Sequence, residues 1–566
     1  MLILLAALPI VAVVVLMMAF NRPAKEALPI GWVLTVLAAL FVWKQNLLTA
    51  AAWATDGFLE AIGTFAIIAG AILIMNTMKA SGAMSVIERM FMSITPDRRI
   101  QAVIIGFVFE AFLEGAAGFG TPAAIAAPLM IGLGFPPLCA AIIALIFNSV
   151  PVNFGVVGVP SKMAIDCTKD LAAAGGVGEA AWSHSISTWC AIGNSAAALF
   201  IVFAAIFVMC RMFGKQKRGA DAFAALPFIV FTSIVFVAFY FPLAYFFGPE
   251  YPSLVGGVLT LAITCFAAKR GFLVPKQTWD FGGDEAKAEA KSAAPASAAP
   301  ASADAAKPPR MGLFMAWLPY LLIIAVLAVS RMNLFGTMEM LKSDACSVGW
   351  NSVLGQAGIN WKWNWGWCPG VVPFFLVCII TFFLHRIPLA KVGESFAVTW
   401  KQCLGAGIAL FFGVSMVYLY RNTGMNAAYD QSMLNALARG LADIFKSAYA
   451  VVAPVIGVLG AFMSGSNTVS NTLFASLQYE TALMVKLSPV LIVSLQNIGA
   501  AAGNMVCVNN VVAVCATTGT NGNEGKIIRT NMPICLGYCL IAFLILGTAA
   551  FLGVDPLGLL ASAAAE

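Results

Sequence analysis

Residues 109–122 read FEAFLEGAAGFGTP, and residues 464–472 read SGSNTVSNT. Each run interrupts a long apolar stretch, 100–134 in the first case and 449–487 in the second. The first centre is glycine-rich and carries two carboxylates four residues apart. The second is a succession of hydroxyls and amides. Polar, non-helical backbone at membrane depth is tolerated only where protein or a wet cavity covers it. Both stretches are therefore read as re-entrant hairpins and not as simple spans.

The rest of the chain agrees with lipid as its solvent. Of 566 residues, 61% are hydrophobic and 10% are charged, where a soluble domain carries about 25% charged. The mean hydropathy is +0.90. So much apolar surface exceeds what soluble cores absorb, since these stop growing at roughly 250–300 residues. An ordinary soluble enzyme and a disordered chain are both excluded. The net charge of +6 is modest; it bears on topology and not on nucleic acid.

A spanning helix needs about 20 mostly apolar residues. Twelve spans are expected, near 2–20, 28–43, 57–78, 136–157, 186–209, 225–246, 254–268, 313–330, 369–385, 395–420, 488–511 and 533–553. The fold class is thus an all-α polytopic membrane protein, with the two hairpins added. Basic residues mark cytoplasmic loops. Arg211, Lys215, Lys217 and Arg218 form one such loop, and Lys269, Arg270 and Lys276 another. Counting outward, Arg22, Lys25, Arg98, Arg99, Arg386, Lys391, Lys526 and Arg529 fall on the same side, and both termini fall outside. The first half, 1–280, holds hairpin 100–134 and two extra spans. An Ala/Pro/Ser-rich cytoplasmic linker covers 281–310. The second half, 311–566, holds hairpin 449–487. The Trp-rich outer segment 331–368 reads as interfacial anchoring or as an outer lid. Cys346 and Cys368 share that segment, where a disulfide is plausible in an oxidising compartment. No CxxC or His/Cys cluster suggests a metal, and no cofactor is expected.

The halves match weakly but in order. Residues 111–115 correspond to 461–465, Pro137-Leu138 to Pro489-Val490, and Ser81-Gly82 to Thr423-Gly424, at offsets of 350, 352 and 342. Seven spans separate the copies, so the second is inverted. Inverted repeats with broken elements meeting at mid-membrane mark secondary transporters.

The tips supply the chemistry. Gly115, Gly118 and Gly120 permit a sharp reversal, and Thr121 with Pro122 suits the start of the outgoing arm. Half-helix N-termini carry unpaired N–H groups and partial positive charge. Two such ends facing each other make an anion site, for which a small carboxylate is the natural ligand. Gly118, Phe119, Gly120 and Thr121 on the first tip, and Ser466, Asn467 and Thr468 on the second, are the expected contacts. The oxygens of Ser466 and Asn467 suit a sodium ion as an alternative. The blander reading is that the glycines only allow close helix packing. The following spans carry Asn148, Asn153 and Asn497, whose amides suit a hydroxyl beside a carboxylate. Pro and Gly clusters there predict unwound middles. Ionisable groups at lipid depth are functional candidates: Glu114, which abuts the tip, is the first choice for a proton carrier, with Glu110 behind it. Glu480, inside the second hairpin, is unexplained, with Lys486 as its nearest charge partner in sequence.

The run 109–122, continued by AAIAAPLMIGLGFPPLCAA and NSVPVNFG, resembles the lactate permease family. SITPDRR (93–99) and GSNTVSNTLFASLQ (465–478) resemble it too, and the match runs in order over most of the chain. The resemblance implies import of lactate or glycolate with protons across a bacterial inner membrane. Likeness of the second tip to a wider ion-transporter superfamily implies an elevator motion and allows a homodimer. The family commonly has Asp at position 467, Lys at 504 and a small residue at 110; this chain has Asn, Asn and Glu. The reading is a proton-coupled importer of lactate-like 2-hydroxy monocarboxylates. Its rivals are a sodium- or proton-coupled carrier of another small anion such as a sulfonate, a channel, and a membrane-embedded enzyme, for which no catalytic constellation is visible.

Overall fold

The computed structural model describes residues 2–560 apart from 19, 21, 23, 92–93, 119–120, 282–310, 332–335, 369, 425–430 and 521. The expected linker, but for Phe281, lies outside the described residues, as do Phe119 and Gly120 of the first tip. Helices cover most of the described residues in each of the twelve expected stretches. Among the described residues, seven helices are long and apolar enough to cross a bilayer, or eight if one bent pair counts as a single span. Leu254–Lys269, Leu313–Leu327 and Gly370–Leu384 are apolar but shorter.

Two helices of 34 residues each, Leu47–Ala80 and Leu389–Asn422, run antiparallel and pack along their length. Ser415 Oγ donates to the Ala54 carbonyl at 2.8 Å, and Asn76 Nδ2 donates to Thr399 and Gln402. Each is about 51 Å long, more than the hydrocarbon core of roughly 30 Å requires. Each is followed by a strongly amphipathic helix, Ala83–Phe91 or Met433–Phe445.

After each amphipathic helix comes a helix–turn–helix pair. In the first, Arg98–Ala102 continues through a π-helical stretch and Glu110–Ala116 to the turn, and Thr121–Gly132 leaves it. In the second, Tyr449–Ser464 and Asn467–Met484 lie antiparallel: Ser470 Oγ donates to the Gly457 carbonyl and Gln478 Nε2 to the Ala453 carbonyl. Helix Pro489–Gly503 crosses the pair where Gly457 and Gly499 remove the side chains that would hold the backbones apart.

The expected span 136–157 is interrupted. Helix Pro137–Asn148 ends, a short 3₁₀ turn Pro151–Phe154 follows, and Gly155–Asp166 continues at 59°. Pro151 has no N–H to give and its ring clashes with the preceding turn. The freed carbonyls are taken up by side chains: Val150 by Tyr240, Pro151 by Ser253, Asn153 by Ser161. In the second half, Pro489–Gly503 breaks in the same place in the order of elements, and Val508–Thr518 follows. Asn531 holds the Met505 carbonyl there. The element order of one half is thus repeated in the other.

Three of the basic loops touch. Arg99, 3% exposed, pairs with Asp97 at 2.7 Å and donates to the carbonyls of Asp221 and Gln277; Arg98 reaches Asp280. Loops 95–99, 219–225 and 277–281 therefore meet; the last two directly follow the basic runs 211–218 and 269–276. The Trp-rich segment forms a two-stranded antiparallel sheet, Val348–Trp350 with Trp361–Trp363, seated on Leu47–Ala80. Cys346 and Cys368 are both free thiols, so the plausible disulfide is not formed. Cys368 Sγ is used instead as a donor to the Gly63 carbonyl. Lys486 makes no ion pair with Glu480 among the described residues.

Candidate functional site

The two turns and the two helix breaks converge. Ala117 and Gly118 close the first arm onto the Leu113 carbonyl, and Gly118 turns with φ 52°. Gly465 turns the second with φ 75°, and Ser466 caps the outgoing arm by accepting from Val469 N. Thr121 is the first residue of its helix, one position inside the expected cap. The glycines serve packing as well: Gly115 lies on the backbone of Ser253 and Leu254, and Gly465 on Asn509.

Glu114 is 2% exposed. Its Oε2 accepts from Asn148 Nδ2 at 2.8 Å; Asn148 Oδ1 accepts from Asn504 Nδ2 at 2.9 Å; Asn504 Oδ1 accepts from Asn510 Nδ2 at 2.6 Å. Each amide donates toward Glu114 and accepts from the next. This chain joins the two helix breaks, whose asparagines are 356 positions apart. Glu114 Oε1 lies against Gly155, where a Cβ would displace it.

A small cavity of about 20 Å³ sits between Glu114 and the second tip, lined also by Val156, Asn467, Thr468 and Asn504. That is room for about one water. A larger cavity of about 420 Å³ meets it at Gly465, Ser466 and Thr468. Lys25, Lys79, Asn76 and Gln402 line the larger cavity, and no acidic residue does.

Asn467 is 2% exposed, and its Oδ1 accepts from Asn471 Nδ2 at 2.9 Å. Its Nδ2 has no partner among the described residues. A buried donor without an acceptor costs about 1–3 kcal/mol, and this one belongs to a residue lining the small cavity. Glu110 is wholly buried, with neither oxygen partnered, and does not line either cavity.

Of the expected site residues, Glu114, Ser466, Asn467 and Thr468 come together around one cavity. Gly118 forms the turn beneath it. Asn148 stands behind Glu114. Asn497 lies deeper, bonded to Asn471, Ser161 and Cys190. Asn153 is buried near Cys190 and lines neither cavity. The side chain of Thr121 is outside what is described. Sequence reasoning missed Asn471, which stitches Asn467 to Asn497 and to the Pro160 carbonyl, although it stands in the quoted tip run. It also missed the Val156 wall, for which the sequence has no signal.

That wall is unusual. Val156 (φ 43°, ψ 57°) and Val157 (φ 54°, ψ 43°) precede Gly158 (φ 81°, ψ 11°), making a left-handed turn at the start of Gly155–Asp166. Such a conformation costs an L-residue roughly 1–2 kcal/mol, and a β-branched residue there is a genuine outlier.

The profile of the L-lactate permease family matches residues 3–553. A Haemophilus influenzae relative is 31% identical over 565 residues, covering 95% of this chain and 97% of its own. The L-lactate permease of Bacillus subtilis is 29% identical, covering 94% and 90%. The glycolate permease of Escherichia coli is 27% identical, covering 93% and 91%. Among solved structures, Neisseria gonorrhoeae MtrF aligns over 94% of this chain and 95% of its own at 12% identity, with a TM-score of 0.47. The chain is a multi-pass membrane permease and not an enzyme, and it belongs to the L-lactate permease family.

Proposed function

We propose that this permease is a secondary active importer of lactate and related small 2-hydroxy monocarboxylates, coupled to protons, in a bacterial inner membrane. The single observation that carries the reading is the unpartnered Nδ2 of buried Asn467, whose side chain lines the same small cavity as Glu114. The open atom is a donor, while the oxygen of Asn467 is already taken by Asn471. An anion satisfies that open donor. The relatives' lactate and glycolate substrates are anions of this kind.

The substrate carboxylate would lie against Asn467, Ser466 and Thr468 at the N-terminus of helix Asn467–Met484, where backbone dipoles favour negative charge. Glu114 would take the proton. The Asn510–Asn504–Asn148 chain holds one of its oxygens, leaving the other on the cavity side near Gly118 and Gly155. Glu110 would remain uncharged, since an ionised carboxylate with no partner is costly to bury. The lysines lining the larger cavity would draw anions toward the tip.

In the membrane, the two helix–turn–helix pairs would be re-entrant, one from each side, within twelve spans and with both termini periplasmic. The pair of 34-residue helices would form a fixed frame against which the tips move in an elevator motion. Uptake of labelled lactate into proteoliposomes, with pH and sodium gradients imposed separately, tests the reading. A pH gradient alone should drive accumulation. Accumulation under a sodium gradient alone would overturn the proton coupling, and no saturable uptake of any 2-hydroxy acid would overturn the substrate.

A further inference from the structure

We propose that Val156, with Val152 beside it, reads the carbon tail of the substrate and sets the preference among two-, three- and four-carbon 2-hydroxy acids. This rests on the transport reading above and goes beyond it, to residues that touch no charge.

Three observations converge on Val156. Its backbone is left-handed, as is that of Val157, while the third residue of the same turn is glycine. Strain of this kind persists only where the surroundings over-determine it. Here they do: Tyr240 holds the Val150 carbonyl just before the 3₁₀ stretch, Ser253 and Ser161 hold carbonyls within it, and Gly158 lies against the Pro249 carbonyl. A glycine at 156 would make the turn without strain, so what valine adds is its side chain. That side chain presses on the first tip, since a Cβ at Gly118 would overlap Val156 Cγ2. It also lines the small cavity with Val152 and Pro160, across from Ser466–Thr468.

The size of that cavity completes the argument. At about 20 Å³ it admits one water or a group of about methyl size. It joins the larger cavity at the residues that would hold the carboxylate. An acid bound there by its carboxylate can project one methyl-sized group toward the valines. Glycolate leaves that space unfilled, lactate fills it, and 2-hydroxybutyrate exceeds it.

Initial uptake rates of glycolate, lactate and 2-hydroxybutyrate, measured in proteoliposomes for the wild type, Val156→Gly and Val152→Ala, test the inference. In Val156→Gly the kcat/KM ratio of lactate to 2-hydroxybutyrate should fall about tenfold, the scale of one methylene in an apolar pocket. Its melting temperature should fall less than that of a glycine substitution at an equally buried, unstrained valine, because relief of the left-handed backbone offsets part of the lost packing. Val152→Ala, whose backbone is ordinary, should shift the ratio the same way and keeps the test open if the glycine variant does not fold. Unchanged ratios in a folded variant overturn the inference while leaving the transport reading intact. A wild-type protein that carries none of the three acids overturns both.

Discussion

The two turns at the centre of this permease occupy equivalent places in the two halves and are built from opposite chemistry. The first, Glu114 to Gly118, offers one titratable carboxyl in an apolar arm and almost nothing that donates. The second, Ser464 to Thr472, offers hydroxyls and amides and no charge. What the repeat duplicated is the geometry: a helix pair, a turn, and a broken helix behind it. In the proposed reading the chemistry is divided, with the proton side on one tip and the anion side on the other. A ligand that touches both tips feels a carboxyl and a set of donors at once, which is what coupling an anion to a proton requires.

The sharpest way to break this division is Glu114→Gln. If the first tip carries the proton, concentrative uptake driven by a pH gradient should fall to background, while exchange of labelled for unlabelled lactate persists. Retained accumulation would remove Glu114 from coupling. Next in size is Asn467→Ala on the second tip. It removes a donor to a charged group, worth about 1.5–3 kcal/mol, so apparent lactate affinity should drop roughly 10- to 150-fold. The pH dependence of uptake should stay as it was. Loss of pH dependence in this variant would show that the two roles are not divided.

Asn504→Ala tests the link between the halves. It leaves Asn148 Oδ1 without its donor and Asn510 Nδ2 with only the Asn504 backbone carbonyl, so Glu114 loses its orientation and not its existence. About tenfold lower pH-driven uptake is expected, within the 1–3 kcal/mol scale of an unmade buried hydrogen bond, with substrate affinity changing less. A loss confined to affinity would instead put Asn504 on the substrate. Smaller still is the double variant Lys25→Gln/Lys79→Gln. Steering by exposed charges is screened by salt. A several-fold rise in KM at low ionic strength should therefore vanish at high salt; a salt-independent change would mean direct contact.

Much of this division was legible in the sequence, because a polar run inside an apolar stretch is conspicuous at any depth. Glu114, Ser466 and Asn467 stood out for that reason, and Pro151 announced the unwound span. The contact of Asn148 with Asn504 was not legible, since nothing local records which residues 356 positions apart will meet. Nor was the left-handed turn at Val156 and Val157: β-branched residues signal strand or helix, and only tertiary contacts force them elsewhere. The mutual support of Asn467, Asn471 and Asn497 was hidden too: Asn467 and Asn497 looked equally fit to touch substrate, and nothing local marked Asn471 as the residue that joins them. The fold of the tips decided that Asn467 faces the cavity and Asn497 lies behind it.

Glu110 offers the finest comparison, because it stands one helical turn from Glu114 on the same arm. Glu114 was the first choice for the proton carrier and Glu110 stood behind it, a structural or pore-facing role being its other reading, and burial treats them alike. Their partners differ. Glu114 has an amide on one oxygen and the cavity near the other. Glu110 has neither a hydrogen-bond partner nor a place on either cavity wall. A proton carrier must exchange its proton with water or with a neighbour that does, and of these two carboxyls it is Glu114 that lines the small cavity. Glu110→Gln should therefore change pH-driven lactate uptake less than about twofold, within the range of an isosteric neutral replacement, and leave the pH profile in place. If the variant instead loses coupling while still exchanging lactate, the proton resides on the Glu110–Glu114 pair, and the first tip works as two carboxyls acting together.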